Sequence, residues 1–172
     1  MKLIAEGTVV ASKPPEGQSC AFPGVCVLPS GRWLCGFRTA PTKSATRGQR
    51  VWLTHSDDGG RTWSAPRPVA DPPPVGGRPG LFRAAFPTPL GGRNVAVTLM
   101  WVDHSQPDLP FFNETTEGLL DCRIFHARSA DEGLTWSPPR LMDTTPFNQP
   151  TPITGPLIIR PNGEWIAQFE LN

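Results

Sequence analysis

Short apolar runs rich in Val, Ile, Leu, Trp and Phe recur along the chain between clusters of Gly, Pro, Asn and Asp. No window carries apolar residues at i, i+3, i+4 and i+7 through three turns, so the pattern predicts strands, not helices. In residues 27–38, VLPSGRWLCGFR, two such runs flank a Ser-Gly pair. Residues 159–170, IRPNGEWIAQFE, repeat the phrase at an offset of 132, and residues 89–103, PLGGRNVAVTLMWVD, are a weaker third copy. Each reads as a hairpin whose glycine supplies the positive φ that the turn needs. Centring the first turn on Ser30-Gly31 pairs residue 28 with 33 and 27 with 34, so Cys26 and Cys35 should face each other as reduced thiols.

A second phrase runs out of phase with the first. Residues 50–69 read RVWLTHSDDGGRTWSAPRPV and residues 123–142 read RIFHARSADEGLTWSPPRLM, an offset of 73. The shared core is S-x-D-x-G-x-T-W: Ser56, Asp58, Gly60, Thr62 and Trp63, then Ser129, Asp131, Gly133, Thr135 and Trp136. A short carboxylate at a reversal accepts the next backbone N–H groups, glycine permits the left-handed residue, the hydroxyls tie the loop to itself, and the indole buries an aromatic face. Catalysis or calcium ligation by Asp57, Asp58, Asp131 and Glu132 is the sharper alternative. Recurrence in every unit is how a fold-building device behaves, and SDDGG lacks the further oxygens of a calcium loop.

The order hairpin, box, hairpin, box, hairpin describes four-stranded meanders, each one blade of a β-propeller. The expected class is all-β, with a lead-in over 1–19, blade 1 over 20–69, blade 2 over 82–142, and a blade 3 that starts at 150 and stops at 172 after its second strand. Open edges and an uncovered blade face then predict that this piece aggregates or folds poorly alone.

Composition agrees with this reading. Proline, 22 of 172 residues, is about 13% where roughly 5% is average, and 17 glycines add to the punctuation. Sixteen basic against fifteen acidic residues, without a block of one sign, give no footprint for nucleic acid. The opening MKLIAE is too short for a secretory apolar region or a membrane span, which favours a cytoplasmic location. Cys20, Cys26, Cys35 and Cys122 match no zinc spacing, and neither metal nor cofactor is expected.

SDDGGRTW and SADEGLTW resemble the Asp boxes, or BNR repeats, of the sialidase superfamily. The resemblance implies a six-bladed propeller of which about two and a half blades are present. It also implies a glycan or sialoside-like substrate and an exo-α-sialidase-like glycoside hydrolase once the remaining blades are added. A noncatalytic Asp-box propeller that binds glycan or protein is the alternative. Sialidases open blade 1 with an R-I-P motif, place an acid in the loop between its second and third strands and use a tyrosine nucleophile. Here Ala21-Phe22-Pro23 has Ala at the Arg position, residues 39–49 hold no Asp or Glu, and the chain has no tyrosine. The chain alone should therefore leave a standard sialoside intact.

In a propeller of this kind the second strand of each blade returns to the functional face. That selects Arg38, the pair Asp103 and His104, and Glu170, with Arg83 near the start of blade 2 and Arg78 further out. Asp103 and His104 are the candidate acid–base residues. Arg38, Arg83 and Glu170 are candidates for holding substrate, the arginines through an anionic group. Trp101, Phe111 and Phe112 are available to stack on a sugar ring.

Overall fold

The computed structural model describes residues 6–10, 19–147 and 150–171, so most of the expected lead-in lies outside the described residues. Among these residues there is no helix, and nine strands form three antiparallel sheets in chain order. The first sheet holds β1 (Ser19–Val27), β2 (Trp33–Ala40) and β3 (Arg50–Ser56). The second holds β4 (Gly80–Gly91), β5 (Asn94–Asp103), β6 (Cys122–Ser129) and β7 (Arg140–Leu141), and the third β8 (Ile158–Ile159) and β9 (Trp165–Ile166). Every strand pairs with its sequence neighbour, giving meanders in a propeller-like arrangement. A fourth strand in the first sheet is reduced to a bridge between Leu53 and Arg67. Pro66 and Pro68 flank Arg67 and have no N–H to extend the ladder.

The Pro-x-Gly turns close one residue wider than the two-residue loop expected. Leu28 N–H donates to the Arg32 carbonyl at 2.8 Å and Gly31 N–H to the Leu28 carbonyl at 2.9 Å, with Gly31 at φ 90°. Arg160 N–H to Glu164 and Gly163 N–H to Arg160, both 2.9 Å, repeat the arrangement, with Gly163 at φ 84°. Each is a three-residue loop ending in a left-handed glycine. The extra residue shifts the register, so Cys26 pairs with Leu34 and Cys35 with Val25. The expected Cys26–Cys35 apposition is therefore corrected: the two residues lie on opposite faces of the sheet, and both thiols are free.

The second sheet is covered on both faces. Phe82, Ala85, Leu99, Trp101 and Phe125 pack against Val51 and Leu53 of β3. From the other face Leu81, Ala84, Met100 and Ile124 meet Ile153, Ala167 and Phe169. Burial on both sides explains why NVAVTLMWVD reads as an almost unbroken apolar run. Pro87 and Pro89 are tolerated in β4 because it is the edge strand of its sheet.

Close approach of the first two sheets depends on missing side chains. A Cβ at Gly24 would lie 2.7 Å from Phe86 Cδ1, and one at Gly36 would overlap the Ala85 carbonyl oxygen. Arg38 follows Gly36 by one alternation, on the same face of β2, and Arg83 precedes Ala85 by two residues on β4. The contact that brings the backbones together thus brings the two arginines together.

Candidate functional site

The two S-x-D-x-G-x-T-W segments fold alike. Ser56 Oγ donates to Asp58 Oδ1 at 2.7 Å and accepts Gly60 N–H at 2.8 Å, while Asp58 accepts the Thr62 N–H at 2.9 Å and the Thr62 hydroxyl at 2.6 Å. Ser129, Asp131, Gly133 and Thr135 repeat these bonds at 2.7, 2.8, 2.8 and 2.6 Å. Gly60 at φ 85° and Gly133 at φ 82° take the left-handed position. Hydrogen bonds from Thr62 and Ser56 hold the Asp58 carboxyl well below the usual carboxylate range, and those from Thr135 and Ser129 do the same for Asp131. Trp63 and Trp136 are half-buried, and Trp136 packs onto the core. The acids spend their lone pairs inside the turn.

These turns stand at one end of the strands and the candidate arginines at the other. β2 and β3 pair from Trp33–Ser56 to Thr39–Arg50, so their ends are roughly 20 Å apart at strand rise. At the far end Arg38, fully buried, donates through Nε to Gln49 Oε1 at 2.8 Å, through Nη1 to the Lys43 carbonyl at 3.0 Å, and through Nη2 to the Ala45 carbonyl. Arg83, also buried, reaches the same Gln49 Oε1 at 3.0 Å and the same Lys43 carbonyl at 3.4 Å. Its Nε is buried without a partner among the described residues.

Two adjacent bulges produce this meeting. The ladder between β4 and β5 slips between Phe82 and Ala84, leaving Arg83 as the extra residue. The ladder between β1 and β2 slips between Ala21 and Gly24, where Phe22 takes φ 53°. Bulges re-aim side chains, and here they set Phe22 against both guanidiniums, with centroids 6.0 Å from Arg38 Cζ and 5.6 Å from Arg83 Cζ. Phe111 covers Arg83 at 4.3 Å. Phe111 belongs to the segment 104–121, which Thr46 ties down by donating to the Pro107 and Leu109 carbonyls at 2.9 and 3.0 Å.

Neither arginine has a carboxylate partner among the described residues. Burial lowers the affinity of Arg38 for its proton. Burial and the neighbouring Arg38 charge push Arg83 down to about 10, which still leaves it cationic at neutral pH. Two positive charges therefore share one neutral amide in a desolvated site, an arrangement that costs free energy until an anion supplies the missing charge.

Asp103 and His104 lie at the same end of the second sheet, Asp103 pairing with Gly80 three residues before Arg83. Asp103 Oδ2 accepts Arg78 Nη1 at 2.5 Å and Oδ1 accepts Ser105 N–H at 2.8 Å. Burial works to raise this carboxyl, but the bonds from Ser105 and Arg78 outweigh it and hold it below the usual range. Arg78 also binds Asp121, which pairs with Arg123, so Arg78 and Asp103 belong to one ion-pair cluster. The backbone N–H of His104 donates to the Pro79 carbonyl at 2.9 Å, and its Nδ1 is buried without a partner among the described residues. Glu170 is exposed beyond β9, its N–H donating to the Pro152 carbonyl at 3.1 Å. Arg38 and Arg83 are thus brought together, whereas among the described residues Asp103, His104 and Glu170 do not bond to either. Trp101 is fully buried, with its indole N–H on the Pro73 carbonyl at 2.9 Å, and so is core and not a sugar platform.

Sequence reasoning missed Gln49 and the placement of Phe22. A neutral residue in a loop carries no chemical flag, and the bulge at Phe22 has no local turn signature. Gly48, at φ 75°, was the one readable hint that the chain reverses just before Gln49.

No family model matches the chain, and no curated protein matches it. Solved structures do resemble it. The Hadza microbial sialidase Hz136 superposes with a TM-score of 0.57 at 18% identity, over 87% of this chain and 32% of that one. A protein of unknown function from Dyadobacter fermentans DSM 18053 gives 0.56 at 20% identity, over 86% and 45%. Zg3597, a family 117 glycoside hydrolase produced by the marine bacterium Zobellia galactanivorans, gives 0.58 at 13%, over 91% and 49%. The chain spans about a third to a half of these structures, and at such identities the likeness is one of fold: an all-β, propeller-like architecture that glycoside hydrolases also use.

Proposed function

We propose that this chain is part of a sialidase-like, glycan-directed protein that holds its ligand through an anionic group at Arg38 and Arg83. The observation that carries this reading is the pair itself: two buried guanidiniums with no carboxylate partner among the described residues, one with an unpaired Nε. Guanidinium donors lie in the plane of the group, and the rings of Phe22 and Phe111 stand 5.6 and 4.3 Å from Arg83 Cζ. A sugar carboxylate would pair in the plane of the guanidinium, at Arg83 Nε, once Phe111 moves aside to open the buried site.

Hydrolysis is the second part of the proposal. Asp103 stays ionised at neutral pH and suits an accepting or charge-stabilising role, while His104, whose buried Nδ1 has no partner among the described residues, suits proton transfer. Glu170 is assigned to the rim of the same face, and a nucleophile would come from outside these residues. The alternative, a binding module without turnover, is favoured by one observation: Asp103 is already engaged by Arg78 and Ser105.

The test uses the full-length protein with N-acetylneuraminic acid for binding and a fluorogenic sialoside for turnover. Binding with turnover supports the hydrolase, and binding without turnover supports the module. Absence of both removes the anionic-glycan reading.

A further inference from the structure

Among the described residues, Gln49 is the one side chain that accepts a hydrogen bond from both arginines. Its Oε1 accepts from Arg38 Nε and Arg83 Nη1, and its Nε2 donates to the Phe82 carbonyl at 3.4 Å. The amide orientation is fixed by chemistry, because an NH₂ group turned toward two guanidiniums would meet only donors. We infer that Gln49 determines the charge specificity of this site: it aligns both guanidiniums while leaving their charge uncompensated, so the pair selects a carboxylated sugar over a neutral one. This inference rests on the anion-binding reading above.

The argument turns on a comparison with glutamate, which has the same length and shape. A carboxylate at this position would accept the same two donors as stronger, charge-assisted bonds and would cancel one of the two positive charges. It would place an oxygen against the Phe82 carbonyl, a lesser cost at 3.4 Å than the gain from pairing a buried cation. Glutamate would therefore make the fold more stable and the site a weaker anion receptor. A glutamine in its place gives up stability for an unfilled demand for negative charge, and the orphaned Arg83 Nε marks where that demand is directed.

The experiment compares wild type, Gln49→Glu and Gln49→Met in the full-length protein, with glucuronate as the charged probe and glucose as the neutral one. Wild type should bind glucuronate in preference to glucose. Gln49→Glu should melt higher than wild type at neutral pH and bind glucuronate at least about tenfold more weakly, as loss of a charge-assisted bond implies. Gln49→Met, which loses alignment without adding charge, should melt lower and also bind more weakly. The stabilisation in Gln49→Glu should fade as pH falls, because the new carboxyl has a depressed folded pKa and its contribution is lost on protonation.

A Gln49→Glu protein that melts no higher than wild type overturns the inference, because the pair would then not be short of a counter-charge. Unchanged glucuronate affinity in that variant overturns it equally. If Gln49→Glu melts higher but wild type binds neither glucuronate nor N-acetylneuraminic acid, charge selection by Gln49 falls together with the anionic-glycan reading, and a bridging role in folding is all that remains. If wild type binds N-acetylneuraminic acid and Gln49→Glu binds it equally well, the glycan reading stands and the inference alone fails.

Discussion

Arg38 and Arg83 sit on different sheets yet donate to the same oxygen of Gln49, at 2.8 and 3.0 Å, and to the same backbone carbonyl of Lys43. The pair exists because Gly36 lets β4 press onto β2 and because a bulge re-aims Arg83. Its chemistry follows from what is absent around it, a carboxylate among the described residues.

A buried cation without a counter-ion is a burden on the fold. Arg83→Met keeps much of the side-chain volume and removes the charge, and in the full-length protein it should melt at or above the wild-type temperature. A drop of several degrees would mean that Arg83 acts mainly as a clamp on the loop through Lys43.

The contact between sheets makes a different demand. Gly36→Ala places a methyl group into the Ala85 carbonyl, so the sheets must separate, at a cost of about 1–3 kcal/mol or more for overpacking. Denaturant unfolding of the variant should show a lower midpoint with an unchanged slope. A midpoint equal to wild type would show that the sheets are less closely packed than described.

Asp58 and Asp131 are held below the ordinary carboxylate range by hydrogen bonds inside their turns. Their contribution is therefore fully present above the unfolded value of about 4 and is lost as pH falls through the folded value. The double variant Asp58→Asn/Asp131→Asn should melt below wild type at neutral pH, with the gap closing below about pH 4. A gap that persists unchanged into acid would show that the turns do not depend on ionised carboxylates.

The cysteines should respond to a thiol reagent in two classes. Burial pushes the Cys122 thiol up to about 12 and Cys26 up to about 11, and raises Cys35 as well, while Cys20 is exposed. Native protein at mildly alkaline pH should show one fast-reacting thiol among these four, and all four after unfolding. Fast reaction of Cys122 would place it outside the core.

Sequence made some of this structure legible and hid the rest for physical reasons. The S-x-D-x-G-x-T-W turns were readable because every bond in them joins residues at most four apart. Arg38 was readable as a strand-end residue, since alternation and a turn locate it. The Cys26–Cys35 pairing failed because loop length sets register, and Pro-Ser-Gly closes as three residues, not two. Gln49 and Phe22 were invisible because their partners come from other strands through bulges, and the bond of Arg78 to Asp103 was hidden because it ties the loop before β4 to the far end of β5.

The claim most open to direct test is that an anionic sugar is held at the arginine end of the sheets and not at the acidic turns. In the full-length protein, N-acetylneuraminic acid affinity should be measured by calorimetry for wild type, Arg83→Met and Asp58→Asn at matched folded fraction. The account predicts that Arg83→Met loses about tenfold or more in affinity while Asp58→Asn binds like wild type, because Arg83 carries a buried donor without a partner among the described residues whereas Asp58 spends its oxygens inside its own turn. Loss of binding in Asp58→Asn with full binding in Arg83→Met would contradict it.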